Sequence, residues 1–152
     1  MPITGEYEPS TSQWVADQVA EYEASRGERA NTLLDTGIPV VIVTMRGGMS
    51  GKVRKIALMR VEHEGEYALV ASKGGHSEHP HWYHNLMAYP LVMLQDGSEP
   101  TDFVVRVVRG AERQQWWNRA AEVFPQYLEY EQKADRVIPV LVASPLSSSG
   151  SV

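Results

Sequence analysis

Apolar positions along this chain fall into short β-branched runs punctuated by turn residues, with helical spacing near the two ends and once in the middle. From Ser10 to about Arg26, Trp14, Val15, Val19 and Tyr22 recur at helical intervals behind Thr11 or Ser12 as candidate N-caps. This predicts an amphipathic helix packed on the outside of the domain. Gly27 to Asp35 is a polar connector. Val40–Arg46, bounded by Pro39 and by Gly47-Gly48, has the pattern of a buried strand. Lys55–Val61 and Glu66–Ser72 read as two more strands, joined in a hairpin at Glu64-Gly65. Leu91–Gln95 ends in the turn signal Asp96-Gly97 and pairs with the alternating Asp102–Arg109 as a second hairpin. From Glu112 to about Ala134 the chain is helical, with Trp116, Trp117, Ala120 and Phe124 as an apolar stripe and a break at Pro125. Ile138–Ala143 is the last strand, closing a single domain over residues 1–143. Residues 144–152, with Ser147-Ser148-Ser149-Gly150, read as a disordered tail.

About six strands with outlying helices predict a mainly β, α+β domain, an antiparallel barrel or closed sheet rather than a doubly wound parallel one. No G-x-G-x-x-G follows a strand, so the main mark of a Rossmann site is missing.

Composition narrows the function classes. A chain of 152 residues with 43% hydrophobic content can bury a core as one unit. A net charge of -5 argues against nucleic acid as a partner and against general binding to acidic membranes. With no cysteine, thiol chemistry and cysteine-held metals are excluded. The apolar runs are too short for a membrane span, and the polar, acidic start argues against a secretory signal. A cytoplasmic enzyme or binding module is the expectation, at most peripheral to a membrane.

Against this acidic background, no acid occurs between Asp35 and Glu62, an interval holding Arg46, Lys52, Arg54, Lys55 and Arg60 around Gly47, Gly48, Ser50 and Gly51. Glycine amides and arginines suit a phosphate; a solvated basic turn is the plain alternative. A second such segment, Ala71-Ser72-Lys73-Gly74-Gly75, leads into His79-Pro80-His81-Trp82-Tyr83-His84-Asn85-Leu86. Its hydroxyl, ammonium, flat aromatic faces and carboxamide fit a cradle for a polar ring, although Trp82 and Tyr83 are equally consistent with packing. Four of the five histidines lie within His76–His84. His79 precedes Pro80 and only Glu78 is a nearby acid, so we expect no metal there; surface or capping imidazoles read better. Phe124, Tyr127 and Tyr130 recur every three residues, as a core stripe or as the border of a substrate pocket. No Ser/His/Asp set supports nucleophilic hydrolysis.

These segments together resemble the deazaflavin-dependent nitroreductase family, the split β-barrel oxidoreductases of actinobacteria that use coenzyme F420. The resemblance rests on Gly47-Gly48-Met49-Ser50-Gly51-Lys52-Val53-Arg54, Val70-Ala71-Ser72-Lys73-Gly74-Gly75, His79 to Leu86, Tyr127-Leu128-Glu129-Tyr130, and Asp135-Arg136-Val137-Ile138-Pro139-Val140. It implies that Ser50, Gly51, Lys52 and Arg54 face the coenzyme's phosphate. It further implies that Val70, Ala71, Ser72, Lys73, His81, Trp82, Tyr83, His84 and Asn85 line the deazaflavin, with Tyr127 closing over it. Met59, Phe124 and Tyr130 would shape the substrate pocket, and Ser72, Tyr127 and Tyr130 would polarise the acceptor or deliver a proton. Three positions depart from the family's pattern: Met49 replaces a lysine, Ala57 a proline and Lys133 a third tyrosine. The activity implied is hydride transfer from reduced F420 to an electron-poor small molecule, an enone, quinone or nitro-aromatic, by a monomer or homodimer. Two alternatives stand beside it: a split-barrel oxidoreductase using flavin mononucleotide, and a non-catalytic deazaflavin carrier.

Overall fold

A computed structural model describes residues 3, 5–33, 36–73 and 78–146. Its strands are β1 (Val40–Arg46), β2 (Val53–Met59), β3 (Glu62–His63), β4 (Glu66–Val70), β5 (Leu91–Gln95), β6 (Pro100–Val107) and β7 (Val140–Pro145). Its helices are α1 (Gln13–Ala24), α2 (His81–Ala88), α3 (Gly110–Val123) and α4 (Tyr127–Ala134). Among the described residues the strands form one sheet in the order β2-β1-β5-β6-β7-β4-β3, every pairing antiparallel.

β2 and β3 occupy opposite edges of that sheet, yet only Arg60 and Val61 separate Met59 from Glu62. Two linking residues span at most about 11 Å, whereas seven flat strands would place the edges roughly 29 Å apart. The sheet must therefore curl, and it closes as a half-barrel. The seam is tied by Asp96, which accepts hydrogen bonds from Arg60 Nε at 2.8 Å and from the Tyr67 hydroxyl at 2.6 Å.

Strand alternation then divides the core. Val41, Val43, Met45, Leu69, Leu141 and Ala143 share the inner cluster with Leu86 of α2. Their neighbours Ala68, Val70, Val140 and Val142 pack outward with Trp116, Trp117 and Ala120 of α3 and with Tyr127 and Ala134 of α4. Val40 and Ile42 pack outward with Val19 and Tyr22 of α1.

The β5–β6 hairpin forms as expected, Leu91 opposite Val104 through to Gln95 opposite Pro100. The other expected hairpin is corrected. Residues 53–59 pair along their whole length with β1, and the Glu64-Gly65 turn instead joins β4 to the two-residue β3. Both turn residues have positive φ, 53° and 84°, as a tight primed turn requires. Sequence proximity favoured the local partner, while the glycine turn after Arg46 makes β1 the longer and better-matched one. Helical residues divide at Pro125 into α3 and α4. Trp14, expected in the buried stripe of α1, is 51% exposed, because it stands in the first turn beyond the residues that meet β1. The C-terminal end of α1 is clamped to the β5–β6 turn: the Tyr22 hydroxyl accepts from Gly97 N at 2.8 Å, and a Cβ on Gly27 would fall 2.6 Å from the Gly97 carbonyl. The tail beyond Leu146 and the segment Gly74-Gly75-His76-Ser77 lie outside the described residues.

Candidate active site

The β1–β2 connection is a compact loop. Gly47 N donates to the Lys52 carbonyl at 2.7 Å, Gly51 N to the Gly47 carbonyl at 3.0 Å, and Lys52 N to Ser50 Oγ at 3.1 Å. Gly51 holds φ +74°, a conformation glycine adopts without a Cβ penalty. Gly48 lies against α2, where an added Cβ would be 3.3 Å from Ala88 Cβ. Its amide donates to Asn85 Oδ1 at 3.0 Å, and Asn85 Nδ2 is 3.7 Å from Met45 sulfur. The exposed amides of Met49 and Ser50 meet no acceptor among the described residues, so they are open to an incoming anion.

Loop and helix enclose a cleft of about 520 Å³. Arg54, Ser50, Gly47 and Gly48 form one side, His81, Trp82 and Asn85 of α2 the other, with Met45 and Ile56 as an apolar floor. Trp82 and Asn85 are three residues apart on one helix face, while Leu86 anchors the next turn in the inner core. Glu8, Ser10 and Thr11, from a segment without any site motif, supply a further wall. They arrive because residues 6–8 run alongside β2, with Val53 N donating to the Glu6 carbonyl at 2.8 Å and Glu8 N to the Val53 carbonyl at 2.9 Å.

That segment also changes the electrostatics. The interval without acids looked like an open positive field, but Glu8 pairs with Arg54 at 3.4 Å, Glu6 approaches Lys52 at 3.9 Å, and Glu23 of α1 pairs with Lys55 at 2.7 Å. The field is countered by acids distant in sequence. Met49, where the family's pattern has a lysine, is fully exposed at the lip of the cleft.

The remaining residues named by the resemblance fall in three places. Lys73, His81 and His84, with Glu78 and His79, line a neighbouring depression of about 430 Å³ that shares His81 with the cleft. Tyr83 packs at a tilt against His79, ring centroids 4.6 Å apart. Val70, Ala71 and Ser72 are buried where the chain leaves β4, Val70 in the outer cluster with α3 and α4. Tyr127, Tyr130, Phe124 and Met59 come together on the outer face of the sheet, with Phe124–Tyr127 and Tyr127–Tyr130 centroid distances of 5.1 and 6.2 Å. None of these four lines the cleft. Burial, and then the adjacent Tyr130, push the Tyr127 phenol far above its ordinary pKa, so it stays protonated within the outer cluster. Arg136, quoted in the resemblance without a role, reaches the ends of the loop that precedes α2. Among the described residues no group of three or more His, Asp or Glu is disposed to hold a metal.

A curled antiparallel half-barrel with a flat indole face beside an arginine- and glycine-lined cleft is an arrangement of the split-barrel class. Residues 14–145 match the family described as F420H(2)-dependent quinone reductase, and the chain belongs to that family of oxidoreductases. It is similar to a putative F420H(2)-dependent quinone reductase of Mycobacterium tuberculosis, 28% identical over 108 residues that make up 71% of this chain and 91% of that one. Among solved structures it is similar to an F420-H2 dependent reductase, FDR-A, at 48% identity and TM-score 0.67, covering 70% of this chain and 94% of the other. A second solved chain, described as a domain-swapped dimer, is 43% identical with TM-score 0.69, covering 89% and 100% of the two chains. The protein is thus an F420-dependent reductase, and the carrier alternative falls away. The flavin mononucleotide alternative gains no support from these matches.

Proposed function

We propose that this protein reduces a quinone-type acceptor with F420H2 held in the cleft between the 47–52 loop and α2. The observation that carries the reading is the meeting in one cleft of Arg54, the Met49 and Ser50 amides and the Trp82 ring, drawn from segments far apart in sequence. The residues fit the coenzyme. A volume of about 520 Å³ lies in the range of small-molecule sites, and the Glu8 carboxylate against Arg54 marks a position where an anion is already accepted. When bound, the coenzyme supplies a hydride equivalent.

The chain's own groups bind and orient. Arg54 and the loop amides hold the phosphate by charge-assisted hydrogen bonds. Trp82 offers its face to the ring, and Met45 and Ile56 exclude water below it. Asn85 acts through the loop, since its carboxamide oxygen is engaged by Gly48. Tyr130 lies on the outer face of the sheet and does not line the cleft, so the acceptor oxygen on which charge develops takes its proton from solvent. Buried Tyr127, together with Phe124 and Met59, fixes the Tyr130 ring. A quinone is favoured over an enone or nitro-aromatic by the family and by the Mycobacterium tuberculosis relative's description. A homodimer is the assembly suggested by the domain-swapped relative.

The test is steady-state reduction of a soluble quinone, an enone and a nitro-aromatic by F420H2. The quinone should give the highest kcat/KM; a preference for either other acceptor would overturn the substrate assignment.

A further inference from the structure

Arg136 leaves the C-terminal end of α4 immediately after Asp135, whose left-handed conformation (φ 52°, ψ 39°) turns the chain sharply. Its Nη2 reaches the main-chain carbonyls of Ala71 at 3.2 Å, Ser72 at 3.1 Å and Glu78 at 3.0 Å, and its Nη1 lies 2.9 Å from His79 Nδ1. The first two carbonyls end the segment leaving β4; Glu78 and His79 lead into α2. One guanidinium therefore spans the two ends of the loop that joins them. A guanidinium only donates, so His79 Nδ1 accepts and the ring's proton sits on Nε2, which is possible only while the imidazole is neutral.

We propose that Arg136 is the positioning residue of the coenzyme cradle, holding the end of β4 and the start of α2 at a fixed separation, and that this hold depends on His79 being neutral. The proposal rests on the functional reading above, because α2 carries the cleft residues His81, Trp82 and Asn85.

The surroundings of His79 support it. Arg136 faces the ring from the α4–β7 connector, Tyr83 and His84 from α2, Lys73 and Glu78 from the loop, and Arg109 and Arg113 across a cavity at the start of α3. Most of these groups are cationic or neutral. Burial, then Arg136 and His84, hold the His79 pKa below its usual value. Protonation replaces an accepted hydrogen bond by two facing cations, so the grip on α2 loosens as pH falls through that lowered pKa.

The test combines coenzyme titrations across pH 5 to 8 with amide hydrogen exchange. The native protein should lose roughly tenfold in F420 affinity on acidification, the worth of about one charged hydrogen bond. In His79→Gln, whose carboxamide oxygen accepts from Arg136 at any pH, that step should vanish. Arg136→Ala should bind weakly throughout and recover in part when free guanidinium ion is added; Arg136→Lys should fall between. In apo Arg136→Ala the α2 amides should exchange faster while those of β5 stay protected. An unchanged affinity in Arg136→Ala, or an acid step that persists in His79→Gln, would overturn the proposal. If the native protein bound no F420 at any pH, the coenzyme reading would fail by itself, and the exchange pattern would still decide the clamp: uniform exchange in native and variant would refute it.

Discussion

Asn85 and Gly48, 37 residues apart in the chain, are joined by a hydrogen bond of 3.0 Å from the Gly48 amide to the Asn85 side-chain oxygen. The carboxamide that suited a ring edge in the sequence has its oxygen engaged in fixing the 47–52 loop to α2. The loop's geometry is thereby set before any ligand arrives, which lowers the ordering cost of binding.

Asn85→Ala should therefore act through the loop. One lost hydrogen bond at a partly exposed site costs about 1 kcal/mol, or roughly fivefold in coenzyme affinity. Fluorescence titration measures the affinity; a variant binding as tightly as the native protein would show that the loop needs no such support.

Glu8 pairs with Arg54, the cation proposed above for the coenzyme phosphate. Glu8→Gln should tighten F420 binding by a few-fold at low salt, with the gain shrinking as salt screens the pair. Weaker binding in this variant would mean that Glu8 contributes a contact of its own to the bound coenzyme.

Tyr127 and Tyr130 pack together on the outer face, away from the cleft. Tyr130→Phe and Tyr127→Phe should therefore each leave kcat for quinone reduction and coenzyme affinity within a few-fold. A loss of kcat of roughly tenfold or more in either variant, with coenzyme affinity unchanged, would place that phenol at the acceptor.

The seam of the half-barrel carries a pH signature. Burial, and then the hydrogen bond to Asp96, raise the Tyr67 pKa to about 12. A phenol whose folded pKa lies above its unfolded value gives stability that is complete below about pH 10 and is lost as pH climbs toward the folded value. Thermal melts should show the native protein weakening through that window and Tyr67→Phe weakening less. Identical alkaline slopes would remove Tyr67 from the account.

How much of this was legible in sequence follows from what is local. β1 and β5 could be bounded to the residue because glycine, proline and Asp-Gly turn signals flank continuous apolar runs. The partner of β2 could not, since turn signals flank it on both sides, Gly47 to Gly51 before it and Glu64-Gly65 after it, and turn residues alone do not say which hairpin runs the full length. Arg54, Ser50, Trp82 and Asn85 could be singled out by type and spacing, and they do share a cleft. The wall made by Glu8, Ser10 and Thr11 left no mark except two acids, Glu6 and Glu8, far from the basic loop they neutralise. Nor could spacing tell that Tyr127 and Tyr130 belong to the opposite face of the sheet, because that depends on which of two adjacent β4 residues points inward.

The proposed function stands on Arg54 and the Trp82 face binding F420 in one cleft. The most direct test is quenching of tryptophan fluorescence in titrations of native protein and Arg54→Ala with F420 and, in parallel, with flavin mononucleotide. The account predicts saturable binding of F420 in preference to the flavin, weakened at least roughly tenfold in Arg54→Ala through loss of a charge-assisted phosphate contact. Preferential flavin binding, or equal F420 affinity in the two proteins, would contradict it.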